Sequence, residues 1–427
     1  MRRLEFDVLV VGAGPAGLAA AAAAAEQGAR VGVVDGEPRE GGQIWRASRG
    51  HVVPAARALA ARAEEHGARF LRATTVFDAH GDGVWSALDD DGVLELAAPR
   101  TVLATGAVER FLPFPGWTLP GVCGAGGLQA LVKGGLDLAG ARVVVAGSGP
   151  LLVAVAVSLR AHGANVLGLF EQASRTRVAG FALSLLGHRA KLVQALELAA
   201  ALQGVPQHFD AWPLRAEGSA RLERLVVRTR AGERTLDCDW LACGFGLAPA
   251  TELARLAGCA HEGDAVRVDA LQRTSVDGVF CAGEGTGIGG VDLALAEGEV
   301  AGRAAAGRAE VPHELLARRD RERAFAAALE RAFALRDELR ALPAPDTLVC
   351  RCEDVPWSAL AGRADAREAK LLERCGMGAC QGRVCGPALE FLCGWARDSV
   401  RPPLVPVPLR ALVEAGAHSP QSPKSPR

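Results

Sequence analysis

Cys350 and Cys352 form a C-x-C pair, and further along Cys380 and Cys385 form a C-x4-C pair. Four thiolates suit either a zinc ion or a [2Fe–2S] cluster, because both take a full set of sulfur ligands. The segment Gly376-Met377-Gly378-Ala379-Cys380-Gln381-Gly382-Arg383-Val384-Cys385-Gly386 is unusually rich in glycine. Bare backbone N–H groups in such a segment can hydrogen-bond sulfur and tune a cluster, which favours iron. Cys375 lies one C-x4-C step before Cys380 and offers a fifth thiol as an alternative ligand. Cys393 reads as a core position on the following helix, and the nine histidines are scattered outside every motif. No catalytic residue is assigned.

Two strand-turn-helix patterns must position whatever the cysteines serve. The run Phe6–Val11 reads as a strand, and Gly12-Ala13-Gly14-Pro15-Ala16-Gly17 follows it directly before an Ala-rich helix. This is the G-x-G-x-x-G turn. Its first glycine permits a tight bend, its second lets backbone amides approach a pyrophosphate, and its third lets helix and strand pack closely. The next strand, Arg30–Val34, ends in Asp35, where an acid takes the hydroxyls of an adenosine ribose. FAD and NAD both fit this first loop. A second loop, Gly147-Ser148-Gly149, follows the strand Val143–Ala146, and Glu171 ends the strand after it. Leu152 replaces the small residue expected there, so the second site is either an adenine-nucleotide site, for NAD(P) or ATP, or a structural relic. Glu171 favours an unphosphorylated ribose, whereas Arg175 and Arg177 would accept a 2′-phosphate.

A chain of 427 residues can build about three domains. Its net charge of −1 gives no positive field for a phosphate backbone, so nucleic acid is excluded as a partner. The apolar run Ala19–Ala25 is too short to span a bilayer and predicts a buried helix, so no transmembrane segment is expected. The chain opens directly into a strand with no apolar leader, and an odd count of eleven cysteines suits reduced thiols; both point to the cytoplasm. Strand and helix patterns alternate from Asp7 to about Gly163, predicting parallel βαβ units. Helix is expected over 181–203, strands over 222–229 and 234–239, and a helix beginning near Gly289-Gly290. A continuous helical stretch is expected from His313 to Leu342, where Pro343 and Pro345 end it. The predicted fold is α/β, with two Rossmann-like domains, the first discontinuous, and a small α-rich C-terminal domain. The boundaries are 1–115 and 255–310 for the first domain, 116–254 for the second, 311–345 for a helical linker, 346–412 for the cysteine domain and 413–427 for an unfolded tail.

Three further segments resemble flavoproteins with two dinucleotide-binding domains, such as thioredoxin and ferredoxin reductases, over residues 5–308. Gly41-Gly42-Gln43 is similar to the stretch that lies along the flavin in that family. Ala104-Thr105-Gly106 resembles its returning turn, and Gly283-Glu284 its ribityl-holding motif, with Glu where the family usually has Asp. The resemblance implies FAD in the first site, with the helix after Gly290 aimed at the flavin pyrimidine. Neither nucleotide domain carries a C-x-x-C pair, so disulfide reduction of the thioredoxin-reductase type lacks its nucleophile.

Cys350-Arg351-Cys352-Glu353-Asp354-Val355 and the Gly376–Cys385 segment also resemble the [2Fe–2S] segment of α subunits of dye-linked amino-acid dehydrogenases. Relatives of that kind include subunits of hydroxyproline dehydrogenase, opine oxidase and hydrogen cyanide synthase, and the likeness spans almost the whole chain. It implies ligands Cys350, Cys352, Cys380 and Cys385. It also implies, as partner, a flavin-containing β subunit, with room for a small third subunit, and a quinone-like acceptor that would bring the complex to a membrane surface. The implied substrate class is D-hydroxyproline, then opines. The alternatives are a stand-alone NAD(P)H-dependent reductase that uses the cluster as electron exit, and a non-enzymatic sensor.

Overall fold

The structure is a computed structural model that describes residues 2–46, 53–307 and 310–416. It divides into two compact units. The first comprises Met1–Ala107, Pro249–Ala324 and Asp398–Arg427, and the second comprises Val108–Ala248 and Phe325–Arg397.

At the centre of the first unit is a five-stranded parallel sheet ordered Val279–Cys281, Arg100–Leu103, Val8–Val11, Val31–Val34 and Arg69–Leu71. The strands Val8–Val11 and Val31–Val34 are apolar at nearly every position and buried throughout, as a sheet covered on both faces requires. The Ala-rich helix Pro15–Glu26 is buried from Ala16 to Ala25. It lies against the helix Val291–Ala306, and two glycines set the spacing: a Cβ at Gly298 would fall 2.1 Å from the Ala16 carbonyl, and one at Gly302 would fall 2.2 Å from that of Ala20. Backbone touches backbone there, which only a pair of side-chain-free residues permits.

The second unit repeats the plan. Its parallel sheet runs Val122–Gly124, Trp240–Phe245, Arg142–Ser148, Asn165–Glu171 and Gln207–Phe209. The fold is α/β with two such folds, the first assembled from separated segments, as the sequence predicts.

The predicted unbroken βαβ alternation to Gly163 does not hold. Residues 75–97 form an antiparallel meander, Thr75–Gly81, Val84–Asp89 and Gly92–Ala97, whose last strand pairs with Arg2–Glu5. Its connections are two residues long, and the first, Asp82-Gly83, has both φ angles positive (+49° and +73°). Such a turn joins antiparallel strands, whereas a parallel crossover needs a dozen residues or more. A second meander occupies Trp212–Glu217, Arg224–Thr229 and Gly232–Asp237.

The long helix from His313 ends at Phe333, nine residues short of the predicted end, and a 3-10 turn follows over Asp337–Ala341. In the second unit, Leu339, Leu342, Ala388 and Leu392 share one core with Phe111, Trp117 and Phe245, and the Trp117 indole donates to the Leu348 carbonyl at 2.6 Å. The cysteine segment is therefore seated on the second nucleotide fold. After Arg397 the chain returns to the first unit, where Ala411 and Ala415 of the helix Leu409–Gly416 pack on Phe77 and Val93. Residues 413–416 of the expected tail belong to this helix; the remainder of that tail lies outside the described residues.

Candidate functional site

The first glycine turn closes where the strand Val8–Val11 ends. Gly12 has φ +107°, and a Cβ on it would lie 2.2 Å from the Ala104 carbonyl oxygen, so the turn admits no side chain. Gly14 differs: the nearest atom to a Cβ there is the Gly42 Cα at 3.9 Å. That open face is where amides at the start of a helix can meet a phosphate. The Ala13 N–H donates to Asp35 Oδ2 at 2.5 Å and the Glu37 N–H to Oδ1 at 2.7 Å. Asp35 is partly buried, and that burial raises its pKa despite these bonds. Gly41 donates to the Ala13 carbonyl, Ala104 donates to Val11, and Thr105 Oγ1 donates to the Ala250 carbonyl at 2.6 Å while Gly106 accepts from Ala250 N–H. The structure thus gathers Gly12 to Gly17, Asp35, Gly42 and Ala104 around one turn. Gln43 is exposed, and its side-chain oxygen accepts from Arg46, which also pairs with Glu37 at 2.6 Å.

Glu284 is turned onto the loop behind it. Its carboxylate accepts from Gly289 N–H at 2.8 Å and Gly290 N–H at 3.0 Å, immediately before the helix Val291–Ala306, and burial raises its pKa. The longer acid that stands in place of Asp reaches these amides and places negative charge at the helix's positive end.

The residue that sequence reasoning missed is Glu297, only 1% exposed. One of its oxygens accepts from Gly283 N–H at 3.0 Å and Thr286 Oγ1 at 2.6 Å; the other accepts twice from Arg323, at 2.9 and 2.8 Å. Arg323 also donates to Gln272 Oε1, and Gln272 Nε2 donates to the Cys281 carbonyl. This buried network holds the Gly283-Glu284 turn from beneath. The signal available in the sequence was a lone Glu297 among Ala, Val and Gly on a helix face.

In the second unit, a Cβ at Gly147 would fall 1.8 Å from the Gly244 carbonyl, while one at Gly149 would meet nothing within 4 Å. Glu171 accepts from Gly149 N–H at 2.7 Å and Ala173 N–H at 2.8 Å, is 3% exposed, and is pushed up to about 7, chiefly by burial. Arg177 does not point into open space; its guanidinium donates to the carbonyls of Ala334 and Arg331.

The cysteines form two groups. Cys350, Cys375 and Cys385 are all buried, with sulfurs within 4.8 Å of one another. The Cys350 sulfur takes hydrogen bonds from Cys375 and Cys385, which lower its pKa, and it accepts from Gly376 N–H at 3.4 Å. Contact with Cys350 correspondingly pushes the Cys375 thiol up to about 12 and raises Cys385 as well. Cys352, exposed, pairs with Cys380, whose backbone N–H donates to it. A Cβ at Gly378 would fall 2.2 Å from the Cys352 Cβ, so the loop passes the C-x-C pair at a distance only glycine allows. Clustered cysteine sulfurs with a backbone donor are the chemistry a sulfur-bound metal or cluster uses, and the donor set fits one. Cys375 belongs to the compact buried group, although the motif spacing singles out the other four.

Residues 6–299 match the pyridine nucleotide-disulphide oxidoreductase family, and the chain belongs to this family of flavin-dependent oxidoreductases. It is 34% identical to an opine oxidase subunit from Rhizobium meliloti (strain 1021), over 95% of this chain and 97% of that protein. It is 31% identical to the HcnB subunit of hydrogen cyanide synthase from Pseudomonas aeruginosa, over 97% of this chain and 100% of the other. Among solved structures, L-proline dehydrogenase from P. horikoshii shares the fold with a TM-score of 0.66 and 19% identity, covering 96% of this chain and 80% of that one. Thioredoxin reductase of T. acidophilum does so at 0.54 and 21%, over 71% and 98%. Among the described residues, no helix is long and apolar enough to cross a membrane.

Proposed function

We propose that this chain is the electron-transfer subunit of a heteromeric amino- or imino-acid dehydrogenase of the D-hydroxyproline or opine class. The observation that carries the reading is the presence, in one chain, of an open dinucleotide turn at Gly12–Gly17 and a buried nest of cysteine sulfurs. That chain aligns end to end with subunits of opine oxidase and hydrogen cyanide synthase. Bound in these two places, FAD takes up an electron pair and a [2Fe–2S] cluster moves electrons singly. Gly12, Gly14 and Gly17 would hold the pyrophosphate and Asp35 the ribose. Gly42, Gln43, Ala104, Thr105, Gly106, Gly283 and Glu284 would border the flavin. Cys350, Cys352, Cys380 and Cys385 would ligate the cluster, with Cys375 donating its thiol to the Cys350 sulfur. The group that takes the proton as the C–N bond is oxidised to C=N then lies on a flavin-bearing partner, whose flavin takes the hydride, and a quinone-like acceptor takes the electrons from this chain. The protein would work in the cytoplasm, at the membrane surface when it meets that acceptor.

Co-purification from the native host, with metal analysis, electron paramagnetic resonance and substrate screening, tests this reading. The expected result is a partner with a second flavin, iron without zinc, and dye reduction by the complex with D-hydroxyproline or an opine. Cys380→Ser is expected to lose the iron, and Cys375→Ser to keep it with a shifted cluster potential. Zinc in place of iron, or rapid bleaching of the flavin in the isolated chain by NADH or NADPH, overturns the proposal.

A further inference from the structure

In a doubly wound sheet the nucleotide lies across the carboxyl ends of the strands, between the glycine turn and the acid that ends the next strand. In the second unit those ends already carry a ligand of the chain's own making. Ser148, in the middle of the second glycine turn, donates through Oγ to the Phe333 carbonyl at 3.0 Å. Gln172, next to Glu171 and fully buried, donates through Nε2 to Ser148 Oγ at 2.9 Å and reaches the Phe333 and Ala334 carbonyls at 3.4 Å; its Oε1 accepts from Arg336 N–H. Arg177 donates to the Arg331 and Ala334 carbonyls. Past the strand Gln207–Phe209, Asp210 pairs with Arg336 at 2.9 Å, and the Arg336 guanidinium lies 4.6 Å over the Trp212 ring. Residues 331–336 therefore cross the ends of three neighbouring strands, and every helix-end carbonyl named here has a side-chain donor.

We infer that the second dinucleotide fold is a socket for the chain's own residues 331–336 and takes neither NAD(P) nor ATP; the floor shaped for an adenosine anchors the segment that leads into the cysteine nest. The first fold supplies the internal control. Asp35 and Glu171 occupy equivalent positions, and each accepts from two backbone amides of its own loop. Asp35 is partly exposed, whereas Glu171 is 3% exposed. The pyrophosphate side of the second turn is open at Gly149, so the loop itself is intact. What is covered is the adenosine side, where Gln172 and Arg177 have both been turned to the linker. A dinucleotide could enter only by stripping these donors from their carbonyls and breaking the Arg336–Asp210 pair. The inference holds whichever substrate the complex oxidises, because it concerns only the occupant of this fold.

The test uses the full chain loaded with flavin, so that the first site is filled. Titration calorimetry with NADH, NADPH and ATP is expected to show no saturable binding up to about 1 mM. Hydrogen exchange is expected to find the amides of 333–336 slow, and unchanged by any of the three nucleotides. The double variant Ser148→Ala, Gln172→Ala is expected to speed exchange at those amides while leaving 8–34 unaffected. Saturable binding of any of the three nucleotides to the wild-type chain that Gly149→Val abolishes would overturn the inference. So would exchange at 331–336 in the wild type as fast as in an unstructured peptide.

Discussion

At the scale of single residues, Glu171 carries a measurable electrostatic cost. Its folded pKa, near 7, lies above the ordinary value of 4.5, chiefly through burial. The native state therefore holds a proton over a range in which the unfolded chain has lost it. Stability from this group is untouched below about pH 4.5 and falls as pH rises towards 7, opposite to the usual behaviour of a salt-bridged acid. Between pH 5.5 and 8 the loss amounts to roughly 2 kcal/mol. Glu171→Gln is expected to flatten that part of the profile, read as urea midpoints of the second unit against pH; parallel profiles for the two proteins would refute it. The places of Glu171 and of the glycines Gly12, Gly14 and Gly17 at their strand-helix turns were legible from spacing alone, though not what each turn holds. Glu297 and Arg323 were not, since they meet across 26 residues, and Arg323 reaches Gln272 across 51. A contact of that kind exists only once the tertiary structure has formed.

At the scale of elements, the helix Val291–Ala306 begins where the resemblance to two-domain flavoproteins places the flavin pyrimidine, and Glu284 sits on the two amides just ahead of it. Part of the positive end of the helix is thereby neutralised. Removing that carboxylate charge should make electron uptake by bound flavin easier. Glu284→Gln is expected to raise the flavin midpoint potential by on the order of 20 mV, the two-electron equivalent of about 1 kcal/mol. Spectroelectrochemical titration checks this, and an unchanged or lowered potential would show that the helix end and the flavin do not communicate. Other elements resisted sequence reading for physical reasons. Ala, Leu, Arg and Glu continue to Leu342, so local propensity predicts helix to that point. The stop at Phe333 instead coincides with the donors Ser148, Gln172 and Arg177, more than 150 residues upstream. The antiparallel meander differs from the wholly buried parallel strands in carrying Asp78, His80, Ser86 and Glu95 and in the brevity of its turns, signals too short to stand out against the alternating strand and helix patterns on either side.

At the scale of the whole molecule, each unit is made of separated stretches of chain, and the last stretch matters as much as the first. Leu404 N–H donates to the Phe77 carbonyl at 2.9 Å, and Phe77, fully buried, packs with Ala411 and Ala415. Removing everything after Arg397 uncovers that side chain, and burying a Phe contributes about 2 to 3 kcal/mol. The truncated chain is expected to lose roughly that much stability in the first unit and to retain less FAD, while the second unit melts as before; urea titration with flavin fluorescence reads both. An intact midpoint in the first unit would show that the closing helix is ornamental. During synthesis the same arrangement imposes an order. The glycine turn at Gly12 leaves the ribosome long before the helix Leu409–Gly416 that completes the packing of its unit, with the sulfur-bearing segment translated in between.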